Sequence, residues 1–415
     1  MEEYGKILLI AMPVFLLLVV LEKLYGIWKK NDTVPLVDAI ASLSSGMSNV
    51  VKDVLGLSIS IFSYEWLFNH LAIFEIQNTI LVVVISFIII DFYGYWGHRW
   101  DHEINFFWNE HIVHHSSEEF NLACALRQPV SSIVRFFGFM LIPAAILGIK
   151  PEVIATVLPL HLFLQFWYHT RHIGKLGFLE YIIVTPSHHR VHHAMNPEYL
   201  DKNYSQIFIV WDRLFGTFQE EREDLPPVYG VTRPVSTWNP FKINFQHLWL
   251  LITDAWRSTT FLDKLTIWFR RTGWRPMGFE EKYPVKKISD VYHFQKYRSE
   301  VSGGVFYWTL AQLFITLGFV SHLFYNIAAI GSPGIFFYGV FIFMTIYVFT
   351  DLMDRNPYNY VFELIRLFFM AVIMYYFEGN WFNLNNSVAY GVAFYVVVSL
   401  LISIYFSRKS NLQWA

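Results

Sequence analysis

Long apolar runs separated by polar segments are the dominant pattern of this chain. Nine such runs lie at residues 7–24, 48–68, 79–97, 132–149, 151–168, 303–328, 334–350, 360–377 and 387–406. A helix needs roughly 20 residues to cross the hydrocarbon core of a bilayer, so the pattern predicts nine crossings if every run spans. The runs at 132–149 and 151–168 are short and only Lys150 and Pro151 separate them. The alternative for this pair is a helical hairpin that does not reach the far side.

Charged residues divide the chain into blocks. Residues 201–300 contain 27 Asp, Glu, Lys or Arg residues, whereas residues 301–400 contain six. The contrast predicts an all-α polytopic membrane protein with a helical cytosolic cap between two membrane-embedded parts. The expected domains are N-terminal membrane helices at 1–78, a catalytic domain at 79–220, a cytosolic or interfacial cap at 221–300 and C-terminal transmembrane helices at 301–415. Within the cap, residues 230–300 have the composition of amphipathic helices that lie on a membrane surface.

Basic residues beside the first and last runs predict the orientation in the membrane. Lys29 and Lys30 follow the first run, and Arg408 and Lys409 follow the last. Short basic flanks favour the cytoplasmic side. Counting the crossings from these flanks places residues 98–130 and the cap on the cytoplasmic side as well, so we expect a multi-pass protein with a cytoplasmic catalytic side.

The composition excludes several classes of protein. Apolar residues make up 54% of the chain and charged residues 15%, whereas ordinary soluble domains are about one quarter charged. The formal net charge is −2, so no basic excess indicates a nucleic-acid partner. The single cysteine, Cys124, excludes an internal disulfide.

Histidines form three clusters with helical spacing. The first cluster is HxxxH and the other two are HxxHH. Their members are His98 and His102, then His111, His114 and His115, and finally His189, His192 and His193. Residues three and four apart share one face of a helix, so each cluster presents its imidazoles in one direction. A single tetrahedral metal needs four ligands, and eight imidazoles therefore fit two metals with open positions.

The alternative for a lone HxxxH is a pair of histidines at the polar membrane interface, but three clusters in one chain favour a metal site. His169 is a candidate ninth ligand, with interfacial packing as an equal alternative. Asp91 lies seven residues before His98, on the same stripe of the helix, and is predicted to orient a ligand imidazole. A polar contact between helices is the alternative for Asp91. Glu103 also flanks the ligands, with a solvated position as its alternative.

Five stretches carry a resemblance to a known family. They are HRWDHE at 98–103, HHSSEEFNLACALRQ at 114–128, PSHHRVHH at 186–193, DKNYSQ at 201–206 and WDRLFGTF at 211–218. The chain thereby resembles the fatty acid hydroxylase and sterol desaturase superfamily of membrane di-iron enzymes. Within it, the alkylglycerol monooxygenase family is the most similar, because four further predicted spans follow the catalytic region.

The resemblance implies two Fe ions held by the eight clustered histidines. Relatives with extra histidines place one where His169 stands, whereas Gln165 replaces another. Glu103 occupies the acidic position that the family associates with tetrahydrobiopterin. The sequence has no flavin or dinucleotide fingerprint, so an external electron donor is expected beside O₂ and a membrane lipid.

The implied reaction is hydroxylation of the carbon next to the ether oxygen of an alkylglycerol, which gives a hemiacetal and then a fatty aldehyde and glycerol. Alternatives are a hydroxylase or desaturase of sterol, carotenoid or fatty-acyl lipids, a catalytically silent relative, and a divalent-metal transporter. The histidines lie at the ends of the runs, which disfavours transport. The C-terminal runs either complete a lipid tunnel or form a homodimer, and Glu363 and Arg366 are expected to pair within the membrane.

Overall fold

The structure, a computed structural model, describes residues 2–61, 63–74, 76, 79–299 and 301–411. The first nine helices are α1 (Glu2–Trp28), α2 (Leu36–Val54), α3 (Tyr64–Leu71), α4 (Thr79–Glu103), α5 (Asn105–His115), α6 (Leu122–Ala125), α7 (Ile142–Ile146), α8 (Pro151–Phe163) and α9 (Pro186–His192). The following helices are α10 (Val210–Phe215), α11 (Pro240–Arg257), α12 (Phe261–Thr266), α13 (Phe279–Lys282), α14 (Gly303–Tyr325), α15 (Ile327–Ile330), α16 (Gly334–Met353), α17 (Asn359–Tyr376) and α18 (Asn386–Asn411). Short 3-10 helices lie at Phe137–Leu141, Gly177–Tyr181 and Ile267–Phe269.

Strands are minor in this fold. Among the described residues, β1 (Ile59–Ser60) and β2 (Val134–Arg135) form one parallel pair, with Ile59 opposite Val134. The predicted all-α class is therefore confirmed.

Six helices of the described chain are long and apolar enough to cross a membrane, namely α1, α4, α14, α16, α17 and α18. The protein is thus a multi-pass membrane protein. The crossing predicted at 48–68 is wrong, because α2 ends at Val54 and Gly56 turns the chain with a φ of +66°. Lys52 interrupts the apolar run and is buried within the protein, where its Nζ donates to the Ser132 carbonyl at 2.8 Å. The predicted number of nine crossings is therefore wrong, and it no longer supports the predicted orientation in the membrane.

The described residues of 132–168 form no helix long enough to cross a bilayer. This region contains a 3-10 turn, the five-residue α7 and the 13-residue α8. At 1.5 Å per residue, α8 is about 20 Å long, which is shorter than the hydrocarbon core. Ile154 and Val157 of α8 pack with Val82 and Ile90 of α4, so this half-length helix supports the span that carries the first histidines.

The N-terminal helices pack against the C-terminal spans in one apolar core. Met47 and Val51 of α2 belong to the same buried cluster as Phe324, Phe341 and Phe349. The expected pair between Glu363 and Arg366 is present, with 2.7 Å between the Glu363 Oε2 and Arg366 Nη2 atoms and both side chains buried. The C-terminal spans are therefore part of one folded unit with the N-terminal helices.

The cap begins at the end of one span and reaches the end of another. At the start of α11, Asn239 donates its Nδ2 to the Tyr347 carbonyl in α16 at 3.1 Å, and Lys242 pairs with Asp351. After α12, the chain pairs Arg271 with Ile104, the residue between α4 and α5. Helix α11 and the segment after α12 thus link the ends of α16 and α4, both at the same side of the membrane-spanning block.

Candidate metal centre

The three histidine clusters lie on three short stretches of helix that the local sequence defines. His98 and His102 occupy the last two turns of α4, which ends because Ile104 is extended, with φ −120° and ψ 123°. The second cluster lies at the end of α5 and the third on α9. Pro186 begins α9, a position that proline favours because its missing N–H is not needed there.

The first histidine group joins α4, α5 and α9. In it, one ring nitrogen from each of five side chains lies within 4.8 Å of all the others. The members are His98, His102, His111, His115 and His192. The His111 Nε2 atom lies 2.9 Å from the His98 Nε2 atom and 3.0 Å from the His115 Nε2 atom, and the latter lies 3.1 Å from the His192 Nε2 atom.

The second group contains four buried histidines under the same distance limit, namely His114, His169, His189 and His193. The His169 Nε2 atom lies 3.3 Å from the His114 Nε2 atom and 2.9 Å from the His189 Nε2 atom. Stacked rings of His115 and His193, 4.3 Å between centroids, join the two groups. The structure therefore brings together all eight clustered histidines and His169.

The spacing of the ring nitrogens fits metal ions. When two imidazole nitrogens each bind one metal at roughly 2.1 Å and the angle at the metal is 90°, the two nitrogens lie about 3.0 Å apart. Neighbouring nitrogens in both groups are as close as 2.9–3.3 Å, while all members of a group lie within 4.8 Å of one another. Within the described chain the buried His102 Nε2 atom has no hydrogen-bond partner, so a metal ion would satisfy it. An all-imidazole donor set suits iron, zinc, copper and nickel.

Burial keeps these imidazoles neutral, which is the form that binds a metal. Burial lowers the pKa of His114 to about 3, with a smaller contribution from the charge of His98. The pKa values of His115, His189 and His193 are likewise far below the ordinary range, first through burial and then through repulsion among neighbouring imidazoles. A metal can therefore bind without displacing protons from these rings.

Backbone carbonyls hold the second ring nitrogen of several histidines. The His98 Nδ1 atom donates to the Tyr204 carbonyl at 2.7 Å, and the His192 Nδ1 atom donates to the Lys202 carbonyl at 2.9 Å. His169 makes the same contact with the Gln165 carbonyl at 3.0 Å. Such contacts fix the tautomer, so each Nε2 is the free nitrogen.

Residue-level reasoning from the sequence missed these carbonyl contacts. The DKNYSQ stretch contains Lys202 and Tyr204, whose carbonyls accept from His192 and His98, but side-chain motifs do not reveal which backbone atoms face a site. Asp212 of the WDRLFGTF stretch shapes this segment, because its carboxylate accepts from the backbone N–H groups of Tyr204 and Ser205, both at 2.8 Å. In the sequence, only the family resemblance of the stretches at 201–206 and 211–218 indicated that this segment belongs to the site.

Asp91 lies elsewhere than predicted. Its carboxylate does not contact a member of either histidine group, but accepts from the His161 Nε2 atom at 2.8 Å and the Trp211 Nε1 atom at 2.8 Å. It also accepts from the backbone N–H groups of Ile207 and Phe208, at 2.9 and 3.1 Å. Asp91 shares the helical stripe of His98, but its carboxylate holds the backbone of Ile207 and Phe208, three and four residues after the Tyr204 carbonyl that accepts from His98.

Glu103 is the last residue of α4 and lies beside the first group. Its Oε1 accepts from the Arg99 Nε atom at 3.0 Å, and its side chain is 30% exposed. The Glu103 carbonyl accepts from the Thr272 N–H at 3.1 Å. His188 belongs to neither histidine group and contacts Glu180, with 3.0 Å between Nε2 and Oε2.

A buried ion pair supports the loop after α5. Arg127 donates its Nη2 to Asp38 Oδ1 in α2 at 2.7 Å, and its Nη1 to the Ser116 hydroxyl at 3.2 Å. Ser117 donates to the other Asp38 oxygen at 2.9 Å. These contacts tie the loop after the second histidine cluster to α2, and only the stretch at 114–128 pointed to them in the sequence.

Comparison with known proteins agrees with this site. Residues 83–217 match the fatty acid hydroxylase family. The chain is 34% identical over 415 residues to alkylglycerol monooxygenase of Homo sapiens, covering 99% of this chain and 91% of that protein. The enzyme of the same name from Xenopus tropicalis is 38% identical over 275 residues, which cover 65% of this chain and 61% of the relative. An ornithine lipid hydroxylase of Rhizobium tropici is 25% identical over 48% of this chain and 58% of its own length. No solved structure matches the chain.

Proposed function

Since this chain belongs to the alkylglycerol monooxygenase family and is therefore an O₂-dependent oxidoreductase, we propose that it hydroxylates the carbon next to the ether oxygen of alkylglycerol lipids. The observation that carries the proposal is the convergence of nine imidazoles in two adjoining groups. Their place at the end of α4 puts the site where a membrane lipid presents its polar end.

We infer that the two groups hold two iron ions, one with five imidazoles and one with four. Bound there, iron supplies the activation of O₂ and the hydroxylation chemistry. The chain's own part is to hold the nitrogens in place. Tyr204, Lys202 and Gln165 do so through their carbonyls, and the ion pair of Arg127 and Asp38 holds the loop after the second cluster.

The proposed reaction balances with one lipid, one O₂ and one two-electron donor. One oxygen atom enters the C–H bond beside the ether oxygen, and the other leaves as water with two electrons and two protons from the donor. The product is a hemiacetal, which breaks its C–O bond to give a fatty aldehyde and glycerol. The alkyl tail is proposed to extend toward the apolar spans while the glycerol end stays at the histidines.

Tetrahydrobiopterin is the electron donor that we propose. The supporting features are the family relationship and the acidic residue Glu103 beside the first histidine group. The paired position of Glu103 with Arg99 argues for a role in shaping this end of α4 rather than for direct contact with the metals.

We place the catalytic side in the cytoplasm. Lys29 and Lys30 lie at the end of α1, and the neighbouring Thr33 contacts the catalytic region: its hydroxyl lies 3.0 Å from the His172 Nε2 atom, and its carbonyl accepts from Asn121 at 2.8 Å. The basic flank of α1 is therefore on the side of the histidines, and basic flanks favour the cytoplasm. This support does not depend on the number of crossings.

The test of the function uses the purified full chain loaded with iron. We expect about two irons per chain in the parent, and fatty aldehyde from an alkylglycerol in the presence of O₂ and tetrahydrobiopterin. The double variant His114→Ala, His192→Ala removes one imidazole from each group and should lose most of its iron and all aldehyde formation. His293→Ala, a change of an exposed cap histidine, is the matched control. One zinc in both proteins, or a hydroxylated acyl or sterol product without aldehyde, would contradict the proposal.

A further inference from the structure

Oxidisable aromatic side chains lead away from the first histidine group. The Tyr204 ring lies 5.3 Å from the His102 ring and 5.9 Å from the His98 ring, measured between centroids. The Tyr95 ring lies 6.4 Å from the Tyr204 ring, and both tyrosines are buried. Since a tyrosine can lose one electron and regain it, these rings connect the histidines with side chains that can donate an electron.

Two tryptophans continue this series of rings toward the surface. The Trp96 ring lies 5.6 Å from the Tyr95 ring, and the Trp100 ring lies 5.9 Å from the Trp96 ring. Both tryptophans are partly exposed, and an indole can also lose and regain an electron. Tyr204, Tyr95, Trp96 and Trp100 thus form an aromatic row that joins the buried histidines to the protein surface.

The Tyr95 hydroxyl has a path for its proton. The Thr217 hydroxyl donates to the Asp212 Oδ1 atom at 2.7 Å, so the Thr217 Oγ1 atom can accept from the Tyr95 hydroxyl, 2.9 Å away. The Arg99 Nη1 atom donates to the Tyr95 oxygen at 3.3 Å. A phenol that loses an electron becomes strongly acidic, and a hydrogen-bonded chain that ends at a carboxylate can take up the released proton.

The other two tyrosines whose rings contact the histidine groups lack such a path among the described residues. The buried Tyr204 hydroxyl has no hydrogen-bond partner there. The Tyr168 ring lies 4.3 Å from the His189 ring, but its hydroxyl donates to the Gln165 Oε1 atom at 3.4 Å. A side-chain amide is an acceptor but not a base. Tyr95 is therefore the tyrosine that can become a neutral radical.

Trp108 is a further aromatic neighbour of the first histidine group, with 5.1 Å between its ring and the His102 ring. Within the part of the chain that the structure describes, its ring contacts are with His102, His111 and His115. No second tyrosine or tryptophan of those residues continues the contact outward, so Trp108 does not begin a row of its own.

We propose that the aromatic row is a protective path for single electrons, which acts when O₂ reacts at the histidines without a lipid. The inference rests on the proposed metal centre. Tyr95 gives one electron to that centre through Tyr204 and one proton to the Asp212 carboxylate through Thr217, and becomes a neutral tyrosyl radical. The radical then regains an electron through Trp96 and Trp100 and its proton from Asp212.

The electrons balance against the proposed hydroxylation. With a lipid, the C–H bond supplies two of the four electrons that reduce O₂, and the donor supplies the other two. Without a lipid, two successive oxidations of Tyr95 replace the electrons of the C–H bond. Both oxygen atoms then leave as water, with two protons from the donor and two from solvent. A water-soluble reductant of the ascorbate or thiol class returns the two electrons to the row at Trp100.

The test detects the radical itself. The iron-loaded full chain in detergent is reduced with dithionite, desalted, mixed with O₂ in the absence of lipid, and frozen for electron paramagnetic resonance. We expect a radical signal in the parent that narrows when the protein is made with ring-deuterated tyrosine. Tyr95→Phe keeps the ring and removes the hydroxyl, so it should lose this signal at an unchanged iron content. It should also be inactivated faster by O₂ and contain more oxidised histidine by mass spectrometry.

Further variants separate the proton path and the surface end of the row. Thr217→Val keeps the Tyr95 phenol but disconnects it from Asp212, so the signal should be lost. Tyr168→Phe, at the second histidine group, should keep the parent signal. Ascorbate should shorten the lifetime of the parent radical, and Trp100→Phe should weaken that effect. Trp249→Phe changes an exposed indole outside the row and should respond to ascorbate as the parent does.

A parent without a tyrosyl signal, or an equal signal in Tyr95→Phe, would overturn the inference. Loss of the signal in Tyr168→Phe would also overturn it, because the radical would then lie at the second histidine group. If Thr217→Val does not fold, Tyr95→Phe and Tyr168→Phe carry the test. Aldehyde formation from an alkylglycerol by the same parent preparation tests the proposed function separately, so a failure of one proposal is distinguishable from a failure of the other.

Discussion

At the scale of single residues, backbone carbonyls orient three of the nine converging histidines, His98, His169 and His192, through their second ring nitrogen. Tyr204 and Lys202 offer backbone carbonyls that no substitution of their side chains removes. The Asp91 carboxylate accepts from the backbone N–H of Ile207, in the same segment as Tyr204. Gly94 makes room for Gln206, since a Cβ on Gly94 would lie 2.0 Å from the Gln206 Oε1 atom. The site thus depends on one short segment held against α4.

The carboxyl group of Glu118 gives a prediction about pH. Burial raises its pKa to about 7, and Asp38 adds to the rise, while its Oε2 accepts from the Tyr297 N–H. Because the folded pKa exceeds the ordinary value of 4.5, this group favours folding at low pH and loses that contribution as the pH rises from about 4.5 through 7.

Glu118→Gln keeps an acceptor for Tyr297 and removes the buried charge. We expect a higher melting temperature than the parent at pH 8 and little difference at pH 5, measured by thermal unfolding in detergent. Glu198→Gln, at an exposed carboxyl of the domain at 79–220, is the control. Equal effects at both pH values would contradict the role assigned to the Glu118 charge.

At the scale of elements, a polar cluster joins the C-terminal spans. The pair of Glu363 and Arg366 in α17 contacts Tyr395 in α18, whose hydroxyl donates to the Gln312 Oε1 atom in α14 at 2.6 Å. Arg366 also approaches the Thr345 hydroxyl in α16 at 3.3 Å. A charge inside a membrane is energetically unfavourable, and here polar side chains from four spans stabilise the ion pair.

Removing one partner of this ion pair should lower the unfolding free energy more than replacing both partners by apolar residues. Glu363→Ala leaves a buried unpaired arginine, so we expect a loss of about 3–5 kcal/mol in unfolding free energy. The double variant Glu363→Leu, Arg366→Met should recover most of that loss, because no charge remains buried. Denaturant unfolding of both proteins in the same detergent provides the comparison. Equal destabilisation of the single and the double variant would show that the pair itself stabilises the spans.

At the scale of the whole molecule, the cap is fixed to span ends on both sides of the site. Helix α11 starts at α16 and packs on α5, and the segment after α12 joins the end of α4. The exposed face of α11 carries one apolar stripe with helical spacing, formed by Phe245, Trp249, Ile252 and Trp256. A helix held at the ends of two spans with such a stripe should lie in the membrane plane.

A single label tests this position. Cys124 is buried and is the one cysteine of the chain, so a cysteine introduced at the surface can be labelled selectively. A polarity-sensitive fluorophore on Trp256→Cys in lipid nanodiscs should emit as in an apolar environment and be quenched by brominated lipids. The same label on His293→Cys should stay accessible to aqueous quenchers. Aqueous behaviour at position 256 would place α11 outside the leaflet.

The sequence by itself determined the helical class, the membrane character and the identity of the convergent histidines. Helical spacing is a local property, so HxxxH and HxxHH fix which rings share a face before any tertiary contact forms. The membrane crossing predicted from local hydropathy at 48–68 was wrong, because hydropathy cannot distinguish a helix buried in protein from one that faces lipid.

Only the tertiary structure decided how the histidines divide into five and four, that Asp91 holds a segment instead of a ligand, and that a cavity reaches His102. Each of these depends on contacts between residues far apart in the chain. The Tyr204 carbonyl is 106 residues from His98, and no pattern along the sequence encodes the direction of a backbone carbonyl after the chain has folded back onto α4.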